Sequence, residues 1–446
     1  MTQLTRTEIE SMSENHDWTM LRTRLGAMRA PDIADLVRVT EMPGRMLLFR
    51  CLPRKLAADV LSHFAGEDRD ELLAELTGEE TRNLLVHLRP DDRTELLEEL
   101  PGEVTRRLLN LLSPEDLIEA RRLLGYPEES VGRLMTPDYV AVRPEWTVGL
   151  ALEQIRKTGR DSETINTVYV TDAGWKLIGT LSLRQIVFAK REQLVKDLMT
   201  HPAISLSAFG DREEASRTMD RYDLFVLPVL DSDGVLVGIV TGDDVFEVAR
   251  EEATEDFYKG AAVKPLKTSF KEASALLLVR NRIGWLMVLV LVDMISAGVM
   301  ARFEDVIAKV IPLCFFLPLL VGCSGNAGSQ SSTLVVRELA LGEVDGRDWA
   351  RLLVKEMAIS ASLGLTIAVA VLGPGVLRGG SGVGGVVALS AVVIVTLGGM
   401  VGVGTPFLLS KLGFDPATSS SPLITSIADI VGVFIYFSIA TWMLRL

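Results

Sequence analysis

Residues 425–432, Thr425-Ser-Ile-Ala-Asp-Ile-Val-Gly432, place one carboxylate inside an otherwise apolar segment that runs from about Pro422 to Leu444. About 20 mostly apolar residues suffice for a helix to cross a bilayer, so the segment predicts a membrane span. A carboxylate at that depth is costly and usually functional. No Lys or Arg lies within the segment, and we therefore predict that Asp429 faces an ion or a water-filled path. The alternative is an aspartate that is protonated, or paired with a basic group, against a neighbouring helix.

Four further apolar segments predict a membrane domain of five helices over residues 280–446. These segments lie near 282–299, 306–336, 357–372 and 383–409. Cytoplasmic loops are enriched in Lys and Arg. The loop between the second and third segments holds the four basic residues Arg337, Arg347, Arg351 and Lys355, and the loop after the third holds Arg378 alone. The polar first 16 residues lack a secretory signal, so we predict a cytoplasmic N-terminus and an external C-terminus.

Polar residues interrupt the second segment over 320–333, Leu-Val-Gly-Cys-Ser-Gly-Asn-Ala-Gly-Ser-Gln-Ser-Ser-Thr. Small residues allow close helix packing, which is the alternative explanation for the glycines. Packing explains Asn326 and Gln330 poorly, because buried amides need partners at membrane depth. Pro312 and Pro318, just upstream, are expected to kink or break the helix. Asp293, in the first segment, either contacts the ion or forms local hydrogen bonds near Ser296, and the sequence leaves both open.

The candidate residues at 325–333 and Asp429 offer only oxygen donors and amides, with neither His nor Cys. Softer metals usually recruit His, Cys or Met, and an anion would be repelled by Asp429. Mg²⁺ keeps several waters and is usually held by one or two carboxylates. The donor set therefore favours a hard divalent cation, and Mg²⁺ fits it well.

Charge is distributed unevenly along the chain. Residues 1–279 carry 35 Lys+Arg and 49 Asp+Glu, whereas residues 280–446 carry 11 and 10. An acidic soluble half argues against nucleic-acid binding, which requires basic groups to neutralise phosphates. The three cysteines, Cys51, Cys314 and Cys323, have no paired spacing and predict neither a disulfide framework nor a zinc site.

Two internal repeats organise the N-terminal half. Gly78-Glu-Glu80, Pro90-Asp-Asp92, Pro101-Gly-Glu103 and Pro114-Glu-Asp116 each precede a pair of leucines and predict an all-α superhelical stack. A longer repeat begins at Leu134-Met-Thr and again at Leu198-Met-Thr, and each copy predicts strands joined by an Asp/Gly turn and flanked by helices. This second repeat resembles a pair of CBS domains, an α+β ligand-sensing module.

An acidic helix is predicted directly after the second copy, from Gly242 toward the membrane. Its acids recur at steps of three or four, so that several share one face. Like charges at that spacing repel one another. A solvated acidic helix explains the pattern, and so does a helix whose repulsion is relieved by a bound divalent cation.

In this order, the helical repeat, CBS pair, acidic helix and five spans resemble the MgtE family of magnesium transporters. The specific elements are Gly325-Asn-Ala-Gly-Ser-Gln-Ser-Ser-Thr333, Lys355-Glu-Met357, Pro422–Asp429 and Glu252-Ala-Thr-Glu-Asp256. The predicted domains are a helical N domain (1–128), a CBS pair (129–250), a connecting plug helix (251–279) and a pore domain (280–446). The resemblance implies a homodimeric Mg²⁺ channel of the inner membrane that closes when cytoplasmic Mg²⁺ is plentiful.

The resemblance also implies the site residues. The pore carboxylate falls on Asp429, and the polar pore wall on Gly325, Asn326, Gly328, Ser329, Gln330 and Thr333. The Mg²⁺-sensing carboxylates fall on Asp59, Asp91, Glu95, Glu213, Asp223, Asp244, Glu247, Glu255 and Asp256. Ser329 stands where the family commonly has asparagine, and Asp293 adds a carboxylate that is unusual for the family.

Some members of the family bind ATP between the CBS copies. Here Gln185 stands where an acidic ribose contact is expected, and Leu224 replaces an aromatic residue after Asp223, so we expect no ATP regulation. Three alternatives remain at this point: an enzyme, a transporter of another ion, and a Mg²⁺ sensor that does not conduct. The enzyme is disfavoured because the sequence contains no His-Glu-x-x-His motif and its four histidines lie in the N-terminal half.

Overall fold

The computed structural model describes residues 18–40, 44–64, 66–266, 270 and 273–445. The chain divides into two compact units, Met1–Ala249 and Arg250–Leu446. We call them the N-terminal unit and the membrane unit.

Short helices α1–α9 form the first part of the N-terminal unit. Their bounds are Trp18–Leu25, Ala30–Arg38, Gly44–Arg50, Arg54–Leu61, Gly66–Glu75, Gly78–His87, Pro90–Glu99, Gly102–Leu109 and Pro114–Leu123. The predicted helix starts are accurate because their chemistry is local. Thr77 and Glu80 form a reciprocal capping box at α6, and α7 and α9 begin at a proline. The paired leucines of α6 and α7 are buried; the superhelical course of the stack remains a prediction.

The CBS pair consists of two copies of one small sheet, as the sequence repeat predicted. The first copy comprises α10 (Val131–Leu134), β1 (Ala141–Val142), α11 (Val148–Thr158), β2 (Thr167–Thr171), β3 (Leu177–Ser182) and α12 (Leu183–Phe188). The second comprises β4 (Leu206–Ser207), α13 (Glu213–Tyr222), β5 (Val226–Leu230) and β6 (Leu236–Thr241). In each copy a short strand pairs in parallel with the middle strand, and the middle strand pairs antiparallel with the last.

Helix α14 (Gly242–Gly260) follows β6 directly and crosses from one unit into the other. Its first turn contains Asp243 and Asp244, and its last turn contains Lys259. Acids at the N-terminus and a base at the C-terminus both suit the helix dipole. The acidic helix that the sequence predicted is therefore present, and it begins at the end of the second CBS sheet.

The membrane unit is all-helical in its described residues. Its helices are α15 (Ala275–Ala301), α16 (Glu304–Lys309), α17 (Pro312–Ala340), α18 (Trp349–Lys411) and α19 (Ser421–Leu444). Four of them, α15, α17, α18 and α19, are long and apolar enough to cross a membrane. The second predicted segment is shorter than expected, because α17 begins at Pro312. The helix continues through Pro318, so the expected break at that proline is absent.

The third and fourth predicted spans lie on the two arms of α18. Gly380 has φ 77° and ψ 179°, outside the helical region, and separates the arms. A Cβ on Gly375 would lie 2.9 Å from the Cα of Gly384, and one on Gly364 would lie 2.8 Å from the Cα of Val392. In both pairs, residues on opposite sides of Gly380 in the sequence lie against each other, which shows that the two arms fold back on each other. The structure thus has four candidate membrane-spanning helices in its described residues, and the five separate spans remain a prediction that requires each arm of α18 to cross the membrane.

Backbone contact between α17 and the second arm of α18 fixes the centre of the membrane unit. A Cβ on Gly402 would overlap the carbonyl oxygen of Gly328 and lie 2.8 Å from its Cα. The hydroxyl of Ser324 donates to the carbonyl of Ile394 at 2.9 Å. Nearby, the hydroxyl of Tyr436 on α19 donates to the carbonyl of Leu313 at 2.9 Å. Small residues are what permit such close approach in a membrane protein.

We predict that Gly402→Ala lowers the thermal stability of the purified protein, because the added methyl group meets backbone atoms that cannot rotate away. Overpacking of this kind costs about 1–3 kcal/mol. The matched control is Gly404→Ala on the same arm, where the nearest atom is 4.0 Å away. Thermal unfolding in detergent should show a lower midpoint for Gly402→Ala alone; equal midpoints for the two variants would contradict the packing described here.

Candidate ion pathway and acidic cluster

Helices α17 and α19 pack antiparallel, and their register places Asp429 beside the polar stretch of α17. The hydroxyl of Ser421 donates to that of Ser329 at 2.8 Å. A Cβ on Gly325 would lie 2.9 Å from the Cγ2 of Thr425. Moving four residues forward along α19, from Ser421 to Thr425, therefore corresponds to moving four residues backward along α17, from Ser329 to Gly325. Asp429, one turn beyond Thr425, thus lies level with the turn of α17 that precedes Gly325.

The predicted pore-wall residues divide between two faces of α17. Asn326, Gln330 and Thr333 are exposed on one face, with Ser329 half-buried at its edge. Gly325 and Gly328 are buried on the other face, where they meet α19 and, for Gly328, also the second arm. The amide side chains thus lie where an ion could reach them, whereas the two glycines form helix contacts. The packing explanation applies to these glycines and not to the amides.

Asp429 itself is half-buried, on the face of α19 that also approaches α15. The carboxylates of Asp429 and Asp293 are close enough to interact electrostatically. Within residues 273–445 the structure shows no ion pair to either carboxylate. The alternative in which Asp429 is paired with a basic group therefore finds no support.

Another carboxylate in the membrane unit, that of Glu356, has a different environment. One of its oxygens accepts a hydrogen bond from the hydroxyl of Ser331 on α17 at 2.7 Å and another from Ser360. Gly399 on the second arm lies directly against it. The sequence marked Glu356 only as part of the motif Lys355-Glu-Met357; its role in joining α17 to both arms is a property of the fold.

An acidic cluster forms in the N-terminal unit where α7 meets the CBS pair and the start of α14. It consists of Asp59, Asp91, Asp92, Glu95, Glu163, Asp243, Asp244 and Glu247, whose carboxylates influence one another electrostatically. Arg89, which forms an ion pair with Glu163, is a basic residue beside it. The cluster therefore carries more negative charge than its described partners neutralise.

The pKa values of the cluster record this imbalance. Burial, reinforced by the charge of Asp91, raises the pKa of Asp92 to about 7, that of Glu163 to about 7 and that of Asp244 to about 8. Partial loss of surrounding water and the nearby Glu247 raise the pKa of Glu95 to about 8, although Glu95 is an exposed residue. Burial also raises the pKa of Asp91, against the opposing hydrogen bond from the Asp92 N–H at 3.0 Å.

Five of the nine predicted sensing residues belong to this cluster: Asp59, Asp91, Glu95, Asp244 and Glu247. The sequence did not single out Asp92, Glu163 or Asp243. Asp92 and Asp243 directly adjoin chosen residues, so they could have been found, whereas Glu163 lies in a loop that only the fold brings near.

The other four predicted sensing residues have different surroundings. Glu213 pairs with Arg217 at 2.7 Å, and Asp223 is exposed at the end of α13 in a left-handed conformation. Glu255 pairs with Lys259 at 2.6 Å, and Lys259 also binds Asp415 at 2.6 Å. Asp256 lies on the same helix, α14. Partial burial of Lys259 lowers its pKa, but the hydrogen bonds to Asp415 and Glu255 outweigh this effect and raise the pKa of Lys259.

The chemistry of the acidic cluster fits a hard divalent cation. Its donors are carboxylate oxygens, the ligands that Mg²⁺ prefers, and their raised pKa values show that added positive charge would stabilise the ionised forms. Among the described residues, no group of three acidic, histidine or cysteine side chains is arranged closely enough to enclose a metal ion. Binding would therefore require the carboxylates to converge.

Gln185, on which the expectation about ATP rests, has a local structural role. Its side-chain oxygen Oε1 accepts a hydrogen bond from the backbone N–H of Ser182 at 2.8 Å, which completes a capping box at α12. Its amide donates to the carbonyl of Leu198 at 3.2 Å.

Comparison with known proteins shows related sequences for both units. Residues 317–439 match the MgtE divalent cation transporter family, residues 28–129 the MgtE intracellular N domain, and residues 131–192 and 195–251 the CBS domain. The magnesium transporter MgtE of Thermus thermophilus is 41% identical over 327 residues, which are 73% of each chain. The magnesium transporter MgtE of Bacillus subtilis is 37% identical over 320 residues, 72% of this chain and 70% of that one.

A crystal structure of the cytosolic domain of the Mg²⁺ channel MgtE in complex with ATP is also similar. It is 36% identical, covers 54% of this chain and 98% of its own, and has a TM-score of 0.52. The expectation that this chain does not respond to ATP gains no support from this similarity, because the related domain was solved with ATP bound.

We predict that, without Mg²⁺, the thermal stability of the purified protein falls between about pH 4 and pH 8 in a manner that depends on the cluster. A carboxyl group whose folded-state pKa is raised loses its proton more reluctantly when folded than when unfolded. Its ionisation therefore destabilises the fold as pH rises from its ordinary pKa toward the raised one.

Asp244→Asn should reduce this pH dependence, and the exposed Asp220→Asn on α13 is the matched control. Unfolding midpoints measured across the pH range would give the two slopes. A slope for Asp244→Asn equal to that of the control would show that the cluster does not carry the effect.

Proposed function

Because this chain belongs to the MgtE family of magnesium transporters, we propose that it conducts Mg²⁺ past Asp429 and that its acidic cluster closes the path when cytoplasmic Mg²⁺ is plentiful. The observation that supports the first part is the register of α19 on α17, which sets Asp429 one to two turns along the helix axis from the exposed Asn326. The polar face continues from Asn326 through the half-buried Ser329 to the exposed Gln330. The chain is a transporter and not an enzyme.

The proposed path consists of one carboxylate and a face of amide and hydroxyl groups. Asp429 supplies the charge that attracts the cation, and the amide oxygens of Asn326 and Gln330 and the hydroxyl of Ser329 can accept hydrogen bonds from its retained waters. A hydrated Mg²⁺ needs just such outer partners, because it loses its waters reluctantly. Thr333 extends the face by one turn, and its hydroxyl donates to the carbonyl of Ser329 at 2.9 Å.

Gly325 and Gly328 contribute to this path indirectly. They set the distance between α17 and its neighbours, since a Cβ on either would meet atoms of α19 within 3 Å. We therefore propose that Gly325 and Gly328 hold the polar wall of the path in place and do not contact the ion.

The proposed gate uses the repulsion within the acidic cluster. When Mg²⁺ is scarce, the ionised carboxylates of α7 and of the start of α14 repel one another and favour a separated arrangement. When Mg²⁺ is plentiful, Asp59, Asp91, Glu95, Asp244 and Glu247 would hold it and draw together, which favours the closed path. Only a difference in Mg²⁺ affinity between the two arrangements can shift their populations.

The family resemblance extends the sensing role to Glu213, Asp223, Glu255 and Asp256, and we retain them as part of the proposal. The proposal further includes a homodimer, in which two copies of Asp429 would border one path. It also places the protein in the inner membrane, with a cytoplasmic N-terminal unit and an external C-terminus. The basic loop at Arg337–Lys355 supports this orientation.

A non-conducting Mg²⁺ sensor is the alternative of a different class. The acidic cluster alone would suit it equally well. The exposed amides and the membrane carboxylate favour conduction, because a sensor has no need for polar groups at membrane depth.

Asp429→Asn and Asp429→Ala should each lower Mg²⁺ flux by about tenfold or more, because the charge that draws the cation into the low-dielectric region is lost. The measurement is Mg²⁺ uptake into proteoliposomes that contain an Mg²⁺-sensitive dye. Asp305→Asn, an exposed acid on α16, is the matched control. Unchanged uptake in both Asp429 variants would remove this residue from the path, and a wild-type protein without uptake would favour the sensor.

Asp91→Asn combined with Asp244→Asn should raise the Mg²⁺ concentration needed for half-inhibition of the current by about tenfold. The two changes remove charge from the most buried part of the cluster and leave its shape unaltered. Patch-clamp recording with Mg²⁺ varied on the cytoplasmic side measures the effect, and Asp220→Asn is the control. Full Mg²⁺ inhibition in the double variant would refute the gating role of the cluster.

A further inference from the structure

Asp293 is the one charged residue of α15 between Arg282 and the end of the helix at Ala301. Apolar residues flank it on both sides, from Trp285 to Val292 and from Met294 onward. A carboxylate in such a helix is unfavourable unless it has a partner or a function. Neither the proposed wall of α17 nor Asp429 accounts for it.

The packing of α15 on α19 places Asp293 near Asp429. Phe303, just after α15, stacks on Phe437 with ring centroids 5.5 Å apart and meets Phe434 edge-on at 6.2 Å. Phe303 lies ten residues after Asp293, and these two aromatic residues lie five and eight residues after Asp429. The last helix ends at Leu444, seven residues after Phe437, so an antiparallel α15 would run past its end. The packing of α15 along α19 therefore indicates that the two helices run in the same direction. At about 1.5 Å per residue the carboxylates then fall within roughly one to two turns of each other in height.

The electrostatic interaction between the two carboxylates agrees with this register. Asp293 is also exposed, and Asp429 is half-buried, so the side chains border accessible space. The described residues of the membrane unit show no ion pair to either of them. Two like charges at membrane depth repel each other, and a divalent cation between or beside them relieves that repulsion.

We propose that Asp293 is a second carboxylate of the ion path, which raises the local concentration of divalent cations at Asp429 and favours them over monovalent ones. The preference follows from Coulomb's law, since the attraction of a second negative charge is twice as large for a doubly charged ion. This inference rests on the proposed role of Asp429 and adds to it a residue that the α17–α19 pathway does not contain.

The test is Mg²⁺ uptake by the full-length protein in proteoliposomes over a range of external Mg²⁺. Asp293→Asn removes the charge at constant size and should raise the half-saturating Mg²⁺ concentration by about three- to tenfold while the maximal rate is largely retained. Asp293→Glu keeps the charge and should stay near wild type. Asp305→Asn is the control for the loss of an acid elsewhere in the same unit.

Two further readouts separate this role from a structural one. Raising the ionic strength with a large organic cation that cannot enter the path should narrow the difference between wild type and Asp293→Asn, because salt screens the attraction. Added K⁺ at constant ionic strength should inhibit Asp293→Asn more strongly than wild type. A packing role predicts neither effect, and would instead lower the unfolding temperature and the maximal rate together with no change in half-saturation.

An unchanged half-saturating concentration in Asp293→Asn would overturn the inference. If Asp429→Asn still abolished uptake in the same assay, the proposed path would stand without Asp293. If Asp429→Asn also left uptake unchanged, the proposed path itself would be wrong.

Discussion

A carboxylate placed where water is scarce must be neutralised by a proton, a basic side chain or a metal cation. Both units of this transporter place carboxylates in such positions and provide few basic side chains for them. In the N-terminal unit, burial and mutual repulsion raise the pKa of Asp92, Glu163 and Asp244 to about 7 or 8. In the membrane unit, Asp429 and Asp293 interact electrostatically, and no ion pair to either is seen within residues 273–445. The stability of either arrangement therefore depends on the cations around it.

The rigid part of the membrane unit differs from the acidic groups in its chemistry. Gly328 and Gly402 bring backbone against backbone, and Ser324 donates to the carbonyl of Ile394. Glu356 accepts hydrogen bonds from a hydroxyl group on α17 and from another on the first arm of α18. These contacts do not require a cation, so they hold one face of α17 in place while its opposite face, with Asn326 and Gln330, remains exposed. In the proposed function, positioning and ion contact therefore fall on different sides of one helix.

The sequence predicted those features whose cause is local. Helix starts at Pro90 and Pro114 follow from proline and capping chemistry, and the CBS pair follows from a repeat within the chain. Asp429 was found because a carboxylate in an apolar segment is conspicuous. The sequence could not find Glu163, because only the fold brings its loop to α7. It offered packing as one explanation for the glycines of α17 but could not assign Gly325 and Gly328 to it, because periodicity does not define which face of the helix is buried. Glu213 and Glu255 were chosen from the family resemblance, and the fold gives them Arg217 and Lys259 as partners.

The turn at Gly380 has a consequence for the assembly of the protein in the bilayer. A single residue with positive φ joins the two arms of α18, and no extended hydrophilic loop separates them. Each arm satisfies its own backbone hydrogen bonds within the helix, so what the arms gain from each other is packing, and glycines such as Gly364 and Gly375 leave room for the close approach of the opposite arm. The two arms therefore suit insertion as one preassembled hairpin, so that biogenesis of this region involves a single event in which both halves enter the membrane together.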